Sequence, residues 1–544
     1  MAIPRPPPPP LVEVLLVSIC IPSLKVITAP SGAWESPASK ALHTKIQRVA
    51  VQPETIDRST VVQTVAGFLR GTTEGGVGVW RGVDYAQQPV GDLRFRAPQP
   101  LIPWTEVREA TAHGPIPPQG KSFVGGGRDD PKMRDEACLT VTVWSPDVHG
   151  SLPVMVWIPG GAFVFGAGQL QLYNGSRLAA NGNVVVVNVT YRLGVFGGFE
   201  LGDLGPGFDD NLCLRDQIAA LQWVRDNIVA FGGDPGRVTV FGESAGATSV
   251  LALLASPAAE GLFGRAIAQS PALPLIAGRE SRDRQAHEFV RRLGVDVDEI
   301  PELPQRQLRR TAGKLQTESA VNTPTLAYGL TYGTELLPIH PVDAARTGEV
   351  HKVPLIIGTN SREASMFAWG KPPMLPTTVP MVDEYFARTD PGAKDNVLHA
   401  YPSYPRRSAL IDFGSDVMFG APTWAFSDAY SAHAPTHVYR FDHTTWTLKV
   451  LGLGATHGSE IVHIQHSYGS YLGRLLHPLG RQVQPSVGRR MQRMWLDFAS
   501  AGVSDWPVYD TDQRATRVIT STKDEIVDDP DKVRRAAWDG LYLP

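Results

Sequence analysis

A serine flanked by glycines, in the pentapeptide Gly242-Glu243-Ser244-Ala245-Gly246, is the clearest candidate for chemistry in this sequence. The β-branched stretch before it and the small residues after it predict a strand, a sharp turn and a helix. Glycine leaves room for such a turn, and the start of a helix favours negative charge beside the serine. The pattern is that of a nucleophile elbow, whose chemistry is acyl transfer. In a chain with 53 glycines, the five residues alone do not distinguish a nucleophile elbow from a structural turn.

A serine hydroxyl is a weak nucleophile and needs a general base that a third group holds in place. His457, among small residues in LGATHGSE, is the candidate base, and Glu363, just after the apolar run VPLIIG, is the candidate acid. The order serine, acid, histidine is that of α/β-hydrolases, and catalytic groups often follow the carboxyl ends of parallel strands. Taken singly, each residue is more often structural. Other histidines compete for the role of base: His340, His351, His463 and His466.

A third part of such a site would hold the negative charge that develops on the substrate oxygen. One donor is the backbone N–H of Ala245, the residue after the candidate nucleophile. Further donors are expected in the turn PGGAF, residues 159–163, which follows the apolar run LPVMVWI. On its own this turn would be an ordinary glycine-rich turn. Because the donors are backbone groups, changing the side chains would not remove them.

Short apolar runs alternate with stretches of helical periodicity, and these are the elements that would position the candidate groups. Strands are predicted at residues 60–83, 138–144, 152–158, 183–191, 265–270, 353–358 and 437–441, and directly before the elbow. The alternation predicts an α/β fold with a mainly parallel central sheet flanked by helices. The strand at 437–441 is expected to be the last. Residues 271–345 and 366–435 interrupt the alternation, which predicts helical insertions that cap the site.

Composition argues against several other classes of function. The chain has 544 residues and a formal net charge of −3, with no clustered basic face, so no nucleic-acid partner is expected. Its three cysteines show no zinc-ligand spacing, and neither a metal nor an organic cofactor is expected. Beyond the N-terminal segment no run of 18 apolar residues occurs, so no spanning membrane segment is expected.

The N-terminal segment, residues 1–45, differs in character from the rest of the chain. Five prolines follow Arg5, and an apolar stretch from Leu15 to Leu24 precedes the small residues SGA at 31–33. This pattern predicts a signal peptide and a disordered lead, so secretion is the expected localisation and the cytoplasm is the alternative. Residues 46–544 show no repeat and no long linker, and they are expected to form a single domain.

Taken together, these parts resemble the type-B carboxylesterase/lipase family, which includes cholinesterases, fungal lipases and p-nitrobenzyl-esterase-like enzymes. The resemblance extends from about Val65 to Tyr509. Within the family, the chain resembles a fungal carboxylesterase-like member. Its landmarks are DYAQQPVGDLRF, CLTVTVW, PVMVWIPGGAF, NVTYRLGVFG, DNLCLRDQIAALQWVRDNIVAFGGDPGRVTVFGESAGATS, VPLIIGTNSREAS, THGSE and DWPVY. The resemblance implies the α/β-hydrolase fold for the domain at 46–544.

The resemblance also implies a catalytic triad and an oxyanion hole at matching positions of this sequence. The triad positions are Ser244, Glu363 and His457, and the oxyanion donors are Gly161, Ala162 and Ala245. The alanine in the oxyanion turn stands where many members have a third glycine. It keeps the backbone N–H that this position donates, so the departure removes no reacting group.

Two ion pairs and one free thiol follow from the same resemblance. The pairs are Arg94 with Glu136 and Arg192 with Asp216. Cys138 stands at a disulfide position of the family, but a proline occupies the position of its usual partner, which predicts a free thiol. The same loop has no tryptophan to hold a quaternary ammonium group, and this disfavours cholinesterase activity.

The sequence therefore predicts a serine hydrolase that cleaves carboxylic esters through an acyl-enzyme intermediate, with a small-molecule ester as its partner. Two alternatives stay open. An acyl or ester transferase would use the same intermediate with an alcohol in place of water, and an adhesion-type binding module would keep the fold without catalysis. The patterns do not specify the acyl length or the oligomeric state. They also do not distinguish a lipase from an esterase that acts on small esters or on natural products.

Overall fold

The computed structural model describes residues 60–120, 133–322, 327–370, 373–476 and 485–541. The predicted N-terminal segment with its signal peptide lies outside these residues, as does the predicted start of the domain at residue 46. Within the described ranges, no helix combines the length and the apolar character needed to cross a membrane.

Strands and helices alternate through most of the described chain. The strands are β1 (Val61–Gln63), β2 (Phe68–Arg70), β3 (Thr72–Glu74), β4 (Val77–Asp84), β5 (Val107–Glu109), β6 (Thr140–Ser145), β7 (Leu152–Ile158), β8 (Val185–Thr190), β9 (Gly233–Glu243), β10 (Arg265–Gln269), β11 (Ile276–Gly278), β12 (Leu330–Tyr332), β13 (Leu355–Asn360), β14 (Thr436–Phe441), β15 (Ala515–Ile519) and β16 (Asp524–Asp528). The helices are α1 (Ser176–Gly182), α2 (Leu212–Asn227), α3 (Ala245–Leu254), α4 (Arg279–Leu293), α5 (Gln305–Asn322), α6 (Pro341–Thr347), α7 (Val379–Arg388), α8 (Lys394–His399), α9 (Arg407–Ser415), α10 (Ala421–Tyr430), α11 (Trp446–Val450), α12 (Ile461–Ile464), α13 (Tyr471–Leu476), α14 (Pro485–Ala501) and α15 (Lys532–Ala537).

The apolar runs build one central sheet, which has eleven strands within the described residues. Their order is β16-β15-β14-β13-β10-β9-β7-β8-β6-β4-β3. The strands from β8 across to β15 pair in parallel, and the strands at the two edges pair antiparallel. Every residue of β8 is buried, as expected where helices cover both faces of a parallel sheet. The predicted α/β fold with a mainly parallel sheet is confirmed.

The expectation that residues 437–441 form the last strand is wrong. β14 occupies that region, but it pairs with β15, which in turn pairs antiparallel with β16 at the edge of the sheet. β16 reads DEIVD and is mostly exposed, and β15 carries Arg517 at its centre. Edge strands commonly carry charges because one of their sides meets water. This accounts for the charges of β16. β15 is paired on both sides, but Thr516 and Arg517 interrupt its apolar residues, so neither strand shows the continuous apolar run by which the others were predicted.

The two regions predicted as insertions are mainly helical. The first contains α4 and α5 together with the short parallel pair β11 and β12, and the second contains α7, α8, α9 and α10. The second insertion reaches the predicted site, because the ring of Phe419 lies against the imidazole of His457.

Both predicted ion pairs are present. Arg192 Nη2 lies 2.6 Å from Asp216 Oδ1, with both side chains almost completely buried. Arg94 Nη2 lies 2.5 Å from Glu136 Oε1. The first pair ties α2 to the segment that follows β8, so it fixes a helix against the sheet. Cys138 is buried and forms no disulfide, as predicted.

Candidate active site

Ser244 stands at the turn between β9 and α3, where the sequence predicts it. Its backbone has φ 59° and ψ −125°, a strained conformation for a residue with a side chain. The N–H of Ser244 donates to the carbonyl of Gln269 on β10 (2.8 Å). A Cβ on Gly246 would lie 2.0 Å from the carbonyl oxygen of Ile158, and one on Gly242 would lie 2.6 Å from the carbonyl carbon of Gly246. A side chain at either position would therefore collide with the backbone, so the elbow requires both glycines.

Glu363 and His457 meet at the carboxyl-terminal edge of the sheet, although 94 residues of chain separate them. His457 Nδ1 lies 2.7 Å from Glu363 Oε2, and both side chains are buried. The other carboxylate oxygen of Glu363 accepts the N–H of Asn360 at the end of β13 (2.7 Å). This hydrogen-bond network assigns a proton to Nδ1 and leaves Nε2 as the basic nitrogen.

Nε2 of His457 faces a second carboxylate, which sequence reasoning missed. Oε1 of Glu243 lies 3.2 Å from Nε2, so this nitrogen contacts the carboxylate of the residue that directly precedes Ser244 in the sequence. Hydrogen bonds of catalytic groups often tighten only when substrate binds, so the contact is compatible with a base that serves the serine. Glu243 stands inside the elbow pentapeptide, at a position that any residue type can fill. Its place next to the nucleophile was the one available signal.

Glu460 is a third buried carboxylate beside the same histidine. Its Oε2 accepts a hydrogen bond from Asn360 Nδ2 (2.5 Å), and its Oε1 lies 3.5 Å from the donor Nε2 of Gln269. Asn360 also donates to the backbone oxygen of Thr456, beside His457 (2.8 Å). Glu460 thus belongs to a polar network that joins the ends of β10 and β13 to the loop that follows β14. In the sequence its only signal is its position three residues after the histidine, in THGSE.

The cluster changes the proton affinity of its members. Burial raises the pKa of Glu243 to about 8 and that of Glu460 to about 7. Burial by itself would lower the pKa of His457, but the carboxylates of Glu243 and Glu363 outweigh it and raise this pKa to about 9. The surroundings therefore favour the imidazolium, which is the form that a general base reaches after it has taken a proton.

The turn after β7 has the geometry of an anion-binding loop. Gly161, Ala162 and Phe163 follow one another with positive φ values of 125°, 54° and 58°. A Cβ on Gly160 would lie 2.3 Å from the backbone oxygen of the residue before the nucleophile, so the turn rests directly on the elbow. In the described part of the chain, the N–H groups of Gly161, Ala162 and Ala245 have no hydrogen-bond acceptor. These three N–H groups are therefore available to a substrate oxygen. That of Ala245 lies at the start of α3, where the first N–H groups of a helix have no partner within it.

The competing histidines are engaged elsewhere. His340 caps α6 through Nδ1, and Nε2 of His351 contacts a backbone oxygen at 2.7 Å. His463 Nδ1 lies 2.9 Å from the hydroxyl of Tyr468, whose ring also contacts that of His466. None of these contacts involves the nucleophile elbow. Across the described ranges, no group of three or more histidine, cysteine, aspartate or glutamate side chains is placed to hold a metal ion.

A mainly parallel sheet, a strained serine elbow at the end of one strand and a carboxylate–histidine pair at the ends of others define an α/β-hydrolase. The chain belongs to the carboxylesterase family, whose family model matches residues 58–534. It is accordingly a carboxylic ester hydrolase, and the family predicted from the sequence is confirmed.

Relatives match this chain over nearly their whole length. The para-nitrobenzyl esterase of Bacillus subtilis (strain 168) is 36% identical over 494 residues, which cover 87% of this chain and 97% of that protein. The phenmedipham hydrolase of Pseudarthrobacter oxydans is 32% identical and covers 87% and 98% of the two chains. A solved thermophilic PNB esterase superposes with a TM-score of 0.80 at 34% identity, covering 88% and 99%. A Geobacillus stearothermophilus carboxylesterase gives 0.76 at 32% identity, covering 88% and 100%.

Proposed function

We propose that this chain hydrolyses esters by the acyl-enzyme route, with Ser244 as nucleophile, His457 as general base and Glu363 as the group that orients the imidazole. The observation that carries the proposal is the 2.7 Å contact between His457 Nδ1 and Glu363 Oε2, next to a serine held in a strained turn. Burial of all three side chains supports it, because electrostatic effects are stronger where water is excluded.

In the first half of the reaction, Ser244 Oγ attacks the ester carbonyl carbon while His457 Nε2 takes the hydroxyl proton. The tetrahedral intermediate then collapses, the bond to the alcohol oxygen breaks, and the leaving alcohol receives that proton. In the second half a water molecule gives a proton to the same nitrogen and attacks the acyl-enzyme. The acid leaves and the serine is regenerated, while Glu363 stabilises the imidazolium in both halves.

The oxyanion of each tetrahedral intermediate would accept hydrogen bonds from the N–H groups of Gly161, Ala162 and Ala245. The lack of another acceptor for these groups in the described residues supports this role. The positive end of α3 adds to it, because Ala245 is the first residue of that helix. The loss of one such donor typically lowers the rate by about 10²–10³. These steps need neither a metal nor an organic cofactor.

For the substrate, we propose small esters that carry an aromatic ring on the alcohol or the acyl side. Phe367 is partly exposed, and its ring lies 5.3 Å from the imidazole of His457, where it offers a stacking surface. A relative named para-nitrobenzyl esterase agrees with this choice. A panel of esters that varies acyl length and alcohol, with and without a lipid interface, tests it. Faster turnover of long-chain emulsified esters than of short aryl esters would contradict it.

The direct test of the nucleophile is the variant Ser244→Ala. We expect it to lose at least about 10³-fold in kcat on p-nitrophenyl acetate and to lose labelling by a fluorophosphonate. The control is Ser249→Ala on α3, a buried serine whose hydroxyl donates to the carbonyl of Ala245 (3.0 Å) and accepts from Gln217 Nε2 (3.0 Å). Activity and labelling that survive in Ser244→Ala protein would rule out the proposed mechanism.

A further inference from the structure

Between α9 and α10 the chain makes one π-helical turn, Asp416–Gly420. The N–H of Ala421 donates to the carbonyl of Asp416, five residues earlier instead of four. Such a turn inserts one residue into a helix and changes the direction of the side chains that follow, and it is found frequently at functional sites. π turns are rare on their own, so contacts from the rest of the fold must select this one.

The turn brings the ring of Phe419 onto the imidazole of His457. The two ring centroids are 4.5 Å apart with an angle of 36° between the planes, and Phe419 is only 2% exposed. Glu363 and Glu243 contact the two nitrogens of the imidazole but leave the ring plane free to rotate about the line between them. The face of Phe419 restricts that rotation. Phe367, which is partly exposed, contacts both rings: its centroid lies 5.3 Å from that of the imidazole and 6.2 Å from that of Phe419.

The same helical segment also holds the loop of the acid. Ser415, the last residue of α9, accepts a hydrogen bond on Oγ from the N–H of Ala364 (2.9 Å), the residue directly after Glu363. Its hydroxyl donates in turn to the carbonyl of Ile411 one turn earlier (2.8 Å). One continuous stretch of helix therefore contacts the backbone next to Glu363 at Ser415 and the imidazole at its π turn.

The π turn is anchored at its first residue by the C-terminal helix. Arg534 on α15 reaches both carboxylate oxygens of Asp416 through Nη1 (3.0 and 3.1 Å), and the hydroxyl of Tyr401 donates to Oδ2 (2.6 Å). The indole N–H of Trp538 donates to that hydroxyl (2.8 Å). Asp416 and Tyr401 are each 3% exposed, so water does not compete for these contacts. A buried carboxylate that lost Arg534 would have to move or take up a proton.

We propose that the contact of Arg534 with Asp416 holds the π turn in place so that Phe419 keeps the imidazole of His457 in its reactive orientation. Phe419 is a positioning residue, and Arg534 acts on catalysis through it. The inference rests on the proposed role of His457 as the general base. Displacement of a catalytic group by about 1 Å can cost 10²-fold in rate, which sets the scale of the expected effect.

Two variants test the inference, Phe419→Ala and Arg534→Met. Each is expected to lower kcat on p-nitrophenyl acetate by about 10- to 100-fold while KM stays within about twofold, because the base is displaced and the Phe367 side chain proposed to stack on substrate is kept. The rate of fluorophosphonate labelling should fall in proportion. The double variant should be no slower than Phe419→Ala alone, since both changes act through the same imidazole. Multiplication of the two effects in the double variant would overturn the proposed connection.

The matched control is Arg535→Met, on the same helix. The guanidinium of Arg535 binds the carboxylate of Asp529 (2.8 Å) and makes no contact with the π turn, so kcat should stay within about twofold of wild type. Thermal unfolding and far-UV circular dichroism report whether each variant is folded. If Arg534→Met does not fold, Asp416→Asn removes the same charge contact with less change in volume and is expected to lower kcat in the same way.

The outcomes separate this inference from the proposed function. If Ser244→Ala loses labelling but folded Phe419→Ala and Arg534→Met keep wild-type kcat and labelling rates, the positioning role is wrong and the nucleophile assignment stands. If Ser244→Ala keeps activity, the proposed function itself fails. A fall in kcat that Arg535→Met shares equally would indicate a general effect of α15 on stability and would also overturn the proposal.

Discussion

The carboxylate of Glu243 should set the pH at which His457 becomes a base, and Glu243→Gln tests this with almost no change in shape. Oε1 of Glu243 lies 3.2 Å from Nε2 of His457, and the pKa of this histidine is raised to about 9. An opposite charge at this distance typically shifts a pKa by about 1–3 units. Burial raises the pKa of Glu243 itself and so reduces its charge, and a shift at the lower end of this range, about one unit, is expected.

The direction of the effect follows from the role proposed for the histidine. His457 accepts a proton only in its neutral form, so activity is lost as the pH falls through its pKa. Removing the negative charge of Glu243 lowers that pKa, and the acid limb of kcat/KM should therefore move to lower pH by about one unit or more. The imidazolium that forms in the transition state also loses stabilisation. Each unit corresponds to about 1.4 kcal/mol, so the plateau rate should fall by about tenfold.

The assay is the pH dependence of kcat/KM for p-nitrophenyl acetate between about pH 5 and pH 10 at constant ionic strength. The control is Glu200→Gln, which removes another buried carboxylate, one that accepts the N–H groups of Gly202 and Asn211 and does not contact His457. Its acid limb should match that of the wild type. A folded, phosphonate-reactive Glu243→Gln protein with an unchanged acid limb would refute the electrostatic role of Glu243.

Two further predictions concern stability and thiol reactivity. Gly246→Ala should destabilise the fold by about 3 kcal/mol, because its Cβ would lie 2.0 Å from a carbonyl oxygen of β7. Gly313→Ala on α5, where the new Cβ meets nothing within 4 Å, should raise stability by about 0.5–1 kcal/mol in the same denaturant titration. Cys138 and Cys213 are buried, and burial raises the pKa of both thiols. Both should resist a thiol reagent in native protein and react after unfolding, as followed by peptide mapping; rapid native labelling would contradict their burial.

Much of this site could be predicted from the sequence because its requirements are local or follow chain order. The elbow needs glycines at fixed offsets from Ser244, and a steric demand of that kind is written into five neighbouring residues. The acid and the histidine each follow an apolar strand, and parallel strands of one sheet bring their carboxyl ends to the same edge. The pairing of Glu363 with His457 follows once the order of the strands is known.

Other parts of the site were decided only by the tertiary structure. Glu243 and Glu460 carry no pattern that separates them from solvated glutamates, and their raised pKa values arise from burial, which no short segment of sequence expresses. The edge strand β16 carries charges, because water on one side of an edge strand removes the need for an apolar run, and its partner β15 carries Arg517 at its centre. Phe419 reaches the imidazole from a single π turn whose first residue, Asp416, contacts Arg534 on the distant helix α15. Local steric rules can be read from neighbouring residues, whereas burial and long-range contact exist only once the chain has folded.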